Sequence, residues 1–197
     1  MSDESMSWDD FYEKIQGRPP RQILLDALEK FPERASLQAI DLGCGDGTES
    51  AVLLSRGWQV LAVDAEPAAI QHLLAKVPLE EQDRLQTQIR KFEEVNLPSS
   101  DLVHASLSLP FCHPDHFPAL WQKITRAIRS GGRFAGQFFG VRDSWANEED
   151  MTFHTEAQVR ALLENFEIES FHEMDEDDQA ASGPKHWHMF TVIARKM

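Results

Sequence analysis

The ten residues Ala39-Ile40-Asp41-Leu42-Gly43-Cys44-Gly45-Asp46-Gly47-Thr48 decide how this chain folds. The apolar run Gln38–Leu42 reads as a strand, and the glycines behind it read as a tight turn opening a helix over Thr48–Ser55. Glycine at 43, 45 and 47 lets the backbone turn sharply and approach a ligand where a Cβ would collide. The spacing is G-x-G-x-G. A dinucleotide fingerprint would need a third glycine at position 48, which is Thr48. Two acids frame the turn. Asp41 stands two residues ahead of the first glycine, and Asp64 ends the next apolar run, Gln59–Val63, 23 residues beyond Asp41. An acid there can accept both hydroxyls of a ribose.

Working outward, strand and helix patterns alternate. Upstream, Trp8–Ile15 suits a short helix, and residues 19–31 a longer one with Ile23, Leu24, Ala27, Leu28 and Phe31 on one stripe. Downstream, Pro67 opens a helix through Ile70, Leu73 and Leu74. Strands follow at Arg84–Lys91 and Asp101–Ser106. A helix over 114–129 presents Phe117, Leu120, Trp121, Ile124 and Ile128, and Ser130-Gly131-Gly132 stops it before a fifth strand, Arg133–Phe139. A helix over Thr155–Phe166 leads to strands Glu167–Phe171 and Trp187–Ala194, joined by an acidic loop containing Gly183-Pro184. Seven strands with helices among the first six predict an α/β fold, a mostly parallel sheet covered on both faces. The last two strands, with no helix between them, predict an antiparallel hairpin. Ligands of such sheets bind at the carboxyl ends of the strands.

The 197 residues are 42% hydrophobic and 26% charged, with 19 Lys and Arg against 33 Asp and Glu, a formal charge of −14. An excess of acid repels phosphate backbones and anionic lipids, so neither nucleic acid nor membrane is expected as a partner. No apolar stretch approaches the roughly 20 residues that span a bilayer. The N-terminus Met1-Ser2-Asp3-Glu4-Ser5 has no basic start or apolar core of a signal peptide. The two cysteines, Cys44 and Cys112, form no disulfide or zinc spacing, which suits a reduced cytoplasmic protein. The acidity is local. Residues 1–13 hold five acids and no base, and residues 147–180 hold twelve acids and only Arg160.

The acid, the alternating glycines, the second acid and the strand order together resemble the class I S-adenosylmethionine-dependent methyltransferases, from residue 38 onward. The resemblance implies a Rossmann-like seven-stranded sheet with S-adenosylmethionine as cofactor, S-adenosylhomocysteine as product and no metal. It implies that Asp41, Gly43, Cys44, Gly45 and Gly47 line the methionine and ribose side. Asp64 would hold the ribose hydroxyls and Ala65 would meet the adenine face. Phe92 would stack on adenine, Glu93 would take its amino group, and Ser106 would face the methionine end. Residues 1–34 are then an N-terminal helical lid, and residues 35–197 the methyltransferase domain. The compact architecture resembles the small-molecule branch, with tellurite-resistance and thiol methyltransferases.

The acceptor would sit at the exit of the fourth strand, walled by Ser108 and Leu109-Pro110-Phe111. No Asn/Asp-Pro-Pro-Tyr tetrapeptide occurs there, which disfavours nucleic-acid and protein amide acceptors. Trp8, Phe11 and Tyr12 would fold over the cofactor or staple a helix to the domain, and Arg18 and Arg21 would pair its carboxylate or stay on the surface. Trp145, in the loop after the fifth strand, and His186, on the rim of the last, are further candidates for the acceptor. His104 reads as a packed, hydrogen-bonded histidine rather than a base. Cys112, His113 and His116 lack the convergence and the fourth ligand of a metal site. Methyl transfer from a sulfonium is an in-line displacement, and no residue declares itself a general base, which favours a soft or already deprotonated acceptor. The acid-rich segments are expected to rim the entrance and to favour neutral or cationic small acceptors over polyanions. The chain is expected to act as a monomer. The alternatives are an NAD(P)-dependent oxidoreductase and a non-catalytic S-adenosylmethionine-binding domain.

Overall fold

The computed structural model describes residues 8–15, 17–32, 36–181 and 183–197, without the side chains of Asp9 and Glu13. Asp3 and Glu4, part of the acidic start, lie outside the described residues. Helices α1 (Trp8–Lys14) and α2 (Gln22–Leu28) precede β1 (Gln38–Leu42), α3 (Thr48–Ser55), β2 (Gln59–Asp64) and α4 (Pro67–Lys76). Then come β3 (Leu85–Ile89), β4 (Ser100–Ala105), α5 (Phe117–Ala127), β5 (Ile128–Gly140), β6 (Phe153–His154), α6 (Glu156–Leu162), β7 (Phe166–Ala180) and β8 (Gly183–Lys196).

The strands form one sheet in the order β3-β2-β1-β4-β5-β8-β7, with the short β6 pairing off β5. β1 to β5 run parallel, and β8 is antiparallel to both β5 and β7. Burial is two-sided, as a parallel sheet requires. Ile40, Leu42, Val103 and Phe134 face α5, where Leu120, Trp121 and Ile124 meet them. Ala39, Val60, Ala62, Leu102 and Ile193 face the other way onto Leu24, Leu28, Leu53 and Leu73 from α2, α3 and α4. α2 therefore shares one core with the sheet. No described helix is long and apolar enough to cross a membrane.

Three expectations are corrected. The helix over 114–129 ends at Ala127, and β5 begins at once at Ile128, so Ser130-Gly131-Gly132 lies inside the strand segment. Lys196 Nζ donates to the carbonyls of Thr125 (2.6 Å) and Ile128 (2.7 Å), which anchors this abrupt change. The helix expected over Thr155–Phe166 is shorter, because Thr155 and Gln158 form a reciprocal capping box ahead of Glu156 and Phe166 opens β7. The acidic stretch expected to be a loop is strand. β7 and β8 pair continuously from Phe166↔Lys196 to Ala180↔Gly183, apart from a register shift between Ile168 and Ser170. Beyond Met189, the last β8 residue paired with β5, the two strands continue as a two-stranded arm against which the loop after β5 packs. Cross-strand partners Asp175↔His188, Asp177↔His186 and Asp178↔Lys185 set acids against bases along it.

Candidate active site

The carboxyl ends of β1, β2 and β4 meet at the glycine turn. The N–H groups of Gly43 and Cys44 both donate to Val63 O (2.8 and 3.0 Å), which fastens the turn to β2. Ser108 Oγ donates to Leu42 O (2.5 Å) and packs so tightly that a Cβ on Gly43 would lie 2.3 Å from Ser108 Cβ. Ser108 thus braces the turn with the hydroxyl expected to face an acceptor. Gly47, at φ +75°, lets α3 pack on α4, because its Cβ would lie 2.7 Å from Leu73 Cα. Gly47→Ala is expected to cost about 2 kcal/mol through left-handed strain and a clash with backbone, measured as a loss of unfolding free energy in urea. Gly45 differs, because a Cβ there would find only Tyr12 Cε1, at 3.7 Å.

Asp64 ends β2 with its carboxylate facing this turn. It accepts from Gly45 N–H (2.9 Å, Oδ2) and Glu66 N–H (3.0 Å, Oδ1). Burial raises its pKa, while the backbone donors of Glu66, Gly45 and Ala65 oppose the rise. Among the described residues no cation pairs with it. The remaining lone pairs can take two hydroxyl protons, which suits the diol of a ribose. Ala65 beside it is exposed. At the exit of β4, Ser106 Oγ is buried without a protein partner, and Leu107 adopts φ +53°, a strained value for leucine. Phe92 and Glu93 lie in a short helical turn, Phe92–Glu94, after β3. Phe92 leans on the core under α5, while Glu93 is exposed and its carbonyl accepts from Lys123 Nζ (2.7 Å). The residues present therefore fit S-adenosylmethionine at the nucleoside end through Asp64 and offer an orphaned buried hydroxyl toward its other end.

A part-buried charge network lies beside the turn. Arg18 donates to both Glu49 oxygens (2.7 and 2.5 Å) and to Asp46 (3.0 Å), and Lys76 donates to Asp46 (2.5 Å) and Thr48 (2.6 Å). Arg21 N–H also donates to Glu49 (2.9 Å). Ser50 Oγ donates to Asp41 (2.6 Å), which is 2% exposed, and burial pushes that carboxyl up to about 7. Its lateral partner His104 is fully buried, held down to about 4 mainly by desolvation. His104 is packed in the core as expected; no side chain hydrogen-bonds its ring, and its polar neighbour is the backbone of Ala135. A raised Asp41 pKa means the folded state holds the proton through a range where the unfolded chain has lost it. The associated stability is present below the unfolded value and is lost as pH rises toward 7. Relative to Asp41→Asn, the wild type should lose up to about 1.4 kcal/mol per pH unit between pH 4 and 7, read from paired urea titrations.

Aromatic rings link α1, the exit of β4 and the loop after β5. Trp8 on α1 meets Phe111 edge-on (5.4 Å between centroids) and stacks on Tyr12, which is buried and also meets His72. Phe111 reaches Trp145 at 6.5 Å, and Trp145 packs with Phe139 and Trp187 (6.1 and 6.2 Å). Inside the Trp145, Trp187 and Phe139 rings sits the ammonium of Lys185, 4.1, 4.5 and 5.3 Å from their centroids and ion-paired with buried Asp143. Asp143 also accepts from Trp145 N–H (3.0 Å) and His188 N–H (3.2 Å), knotting the loop after β5 to the arm. His186 lies outside this knot, between Asp175 (3.0 Å) and Asp177 (2.8 Å).

Glu173, Asp175 and His188 bring possible ligand atoms within 4.8 Å of one another. His188 Nδ1 accepts from Arg142 N–H (2.9 Å), so Nε2 carries the hydrogen and donates to Glu173 (2.9 Å). The Arg142 guanidinium already bridges the two carboxylates (2.7 and 2.8 Å). This cluster is a salt bridge with no free ligand nitrogen. Cys112, His113 and His116 do not join into a ligand set among the described residues. The motif reading missed Asp46, Glu49, Lys76 and the Asp143–Lys185 pair. Asp46 lay inside the glycine turn and could have been read there, but the other contacts join segments far apart in the chain.

A strand, a three-glycine turn and a cation-free acid ending the next strand, all at the carboxyl edge of a mostly parallel sheet, are the marks of a ligand-binding α/β domain. Residues 39–132 match the Methyltransferase domain family. Trans-aconitate 2-methyltransferase of Deinococcus radiodurans is 32% identical over 136 residues, 67% of this chain and 49% of that protein. The chain thus spans about half the length of that curated relative. Among solved structures, TehB from Haemophilus influenzae superposes with TM-score 0.76 at 16% identity, over 96% of this chain and 66% of that one. The N-methyltransferase NodS from Bradyrhizobium japonicum, in complex with S-adenosylhomocysteine, gives 0.69 at 13% identity over 97% and 99%. The chain belongs to the class I S-adenosylmethionine-dependent methyltransferase superfamily, whose cofactor is S-adenosylmethionine.

Proposed function

We propose that this chain transfers the methyl group of S-adenosylmethionine to a small-molecule acceptor and releases S-adenosylhomocysteine. The Asp64 carboxylate, cation-free among the described residues and aimed at the glycine turn, is the observation that carries the reading. Family membership and a relative named for methylation of trans-aconitate support it. The bound cofactor would supply an activated methyl group on sulfur. The chain's own contribution is then alignment and the exclusion of water. Gly43, Gly45 and Gly47 set the turn, Asp41 and Ser50 brace it from below, and Ser106 faces the exit of β4. Trp8, Tyr12, Phe111 and Trp145 would cover the acceptor. The buried histidines His104 and His154, both held down to about 4, are weak bases. Burial pushes the Cys112 thiol up to about 11 and raises that of Cys44 further from ionisation. This set of groups suits an acceptor that arrives with a lone pair free. We also propose a cytoplasmic setting, in keeping with two reduced cysteines.

Calorimetric titration with S-adenosylhomocysteine and with NAD, followed by labelled methyl transfer to a metabolite panel that starts with trans-aconitate, tests the reading. NAD binding without S-adenosylhomocysteine binding would sink it. Tight S-adenosylhomocysteine binding with no labelled product in any extract would leave a binding domain instead of an enzyme.

A further inference from the structure

The sheet ends on one side at β7 and on the other at β3, Leu85-Gln86-Thr87-Gln88-Ile89, whose outer side meets no strand among the described residues. Edge strands are commonly guarded by a charge, a proline or a bulge that keeps other strands off. β3 has none of these. Its residues are uncharged, none is proline, and it pairs with β2 in unbroken register from Val60↔Leu85 to Asp64↔Ile89. Arg90 N–H, just beyond the strand, donates to Asp64 O (2.9 Å). Backbone groups alternate in direction along a strand, so Gln86 and Gln88 also turn theirs to β2. Leu85, Thr87 and Ile89 turn theirs outward, where Leu85 N–H is taken by Gln82 O in the preceding turn. Gln86 and Thr87 are exposed, and Ile89 is 48% exposed.

The strand is a chemical palindrome: about Thr87, Gln86 mirrors Gln88 and Leu85 mirrors Ile89. We propose that the β3 edge binds a second copy of this chain, the two strands pairing antiparallel about a two-fold axis at Thr87. In that register Thr87 exchanges both backbone bonds with Thr87 of the second copy, and Ile89 N–H donates to the free Leu85 carbonyl. The Leu85 N–H already given to Gln82 is not called upon. Leu85 faces Ile89 and covers its exposed side chain. Gln86 faces Gln88, whose amide nitrogen donates to Asn96 O (3.2 Å) and whose oxygen is left to accept. The flanks suit the antiparallel sense. Exposed Asp83 stands ahead of the strand and exposed Arg90 and Lys91 behind it, while Arg84 is turned inward onto Leu54 O (2.7 Å). Antiparallel pairing sets the Asp83 flank of each copy beside the Lys91 flank of the other. The formal charge of −14 opposes association only weakly here, because acid-rich β7 lies at the far end of the sheet. Leu74 on α4 and Leu79 in the turn leading into β3 add exposed apolar surface (42% and 83% exposed) on the segments next to this edge. The monomer expected from the sequence gives way to a pair.

Sedimentation equilibrium of the full chain from about 5 to 200 μM tests the proposal, and the mass is expected to rise toward that of two chains. Thr87→Pro removes the outward N–H at the axis and spares the ladder to β2, which Thr87 does not bond. It should raise the dissociation constant at least about 10-fold, with the circular dichroism spectrum unchanged. Asp83→Lys and Lys91→Asp each set like charges side by side at the flanks and should weaken the pair about 2- to 5-fold, whereas the two together restore it. Both residues are exposed, so this charge exchange decides the matter even where Thr87→Pro fails to fold. A single-chain mass at every concentration overturns the proposal and leaves the edge to a strand of a different protein. A pair that persists in folded Thr87→Pro, or charge reversals that do not compensate, overturns it by placing the contact elsewhere on the molecule.

Discussion

Replacing Asp64 by alanine lowers the affinity for S-adenosylhomocysteine by about 100-fold, roughly 3 kcal/mol, with the protein still folded. Two losses combine. Each ribose hydroxyl given to an ionised, partly desolvated carboxylate contributes about 1.5–3 kcal/mol, and the pair is lost together. The Gly45 and Glu66 N–H groups also lose their acceptor, so the turn that must meet the ligand is less well fixed. Asp64→Asn retains one oxygen and should fall between alanine and wild type. Isothermal calorimetry on the three proteins decides the matter, and unchanged affinity in a folded Asp64→Ala variant would remove the ribose role.

The second large effect concerns stability. Asp143→Ala is expected to cost about 3–5 kcal/mol, because it strands the Lys185 ammonium where its side chain is only 2% exposed. The surrounding rings of Trp145, Trp187 and Phe139 attract the cation but cannot accept strong hydrogen bonds from it. Lys185→Met alone leaves an equally buried carboxylate, though Trp145 and His188 N–H still donate to Asp143. That variant should suffer less. The double replacement Asp143→Leu with Lys185→Met should recover much of the loss. Urea denaturation of the four proteins gives the coupling energy, and additive losses would show that the two charges do not act as a pair.

The alternation of strand and helix was legible because β1, β2 and β4 carry apolar runs and glycine or proline punctuates the connections, whereas β3, Leu85–Ile89, shows only a weak alternation. Thr48–Ser55 matches its expected bounds because Gly47 and Gly57 delimit it. The arm of β7 and β8 was illegible for a physical reason. Asp175, Glu176, Asp177 and Asp178 have low strand propensity, and what makes them strand is pairing with His188, Trp187, His186 and Lys185 across the turn. Such pairing is a tertiary fact that no window of sequence contains. The site divides in the same way. The glycine turn and Asp64 were readable from spacing alone. Ser108 was given to the acceptor because its position after β4 was visible, while its bond to Leu42 O, 66 residues away in sequence, was not. The roles of Cys44, Ala65, Phe92, Glu93 and Trp145 toward a ligand remain proposals that structure-guided substitution can weigh one at a time.

β7 is the last strand of the sheet, and along its length it carries Glu167, Glu169, Glu173, Asp175, Glu176, Asp177 and Asp178, alternating between its two faces apart from the register shift. An open strand of 15 residues is a template on which another chain could add itself. A second copy laid antiparallel along this one would bring carboxylates opposite carboxylates over most of its length. Sheet growth is thereby closed on this side, and the acids that account for much of the chain's net charge guard the longest edge against fibre-like association.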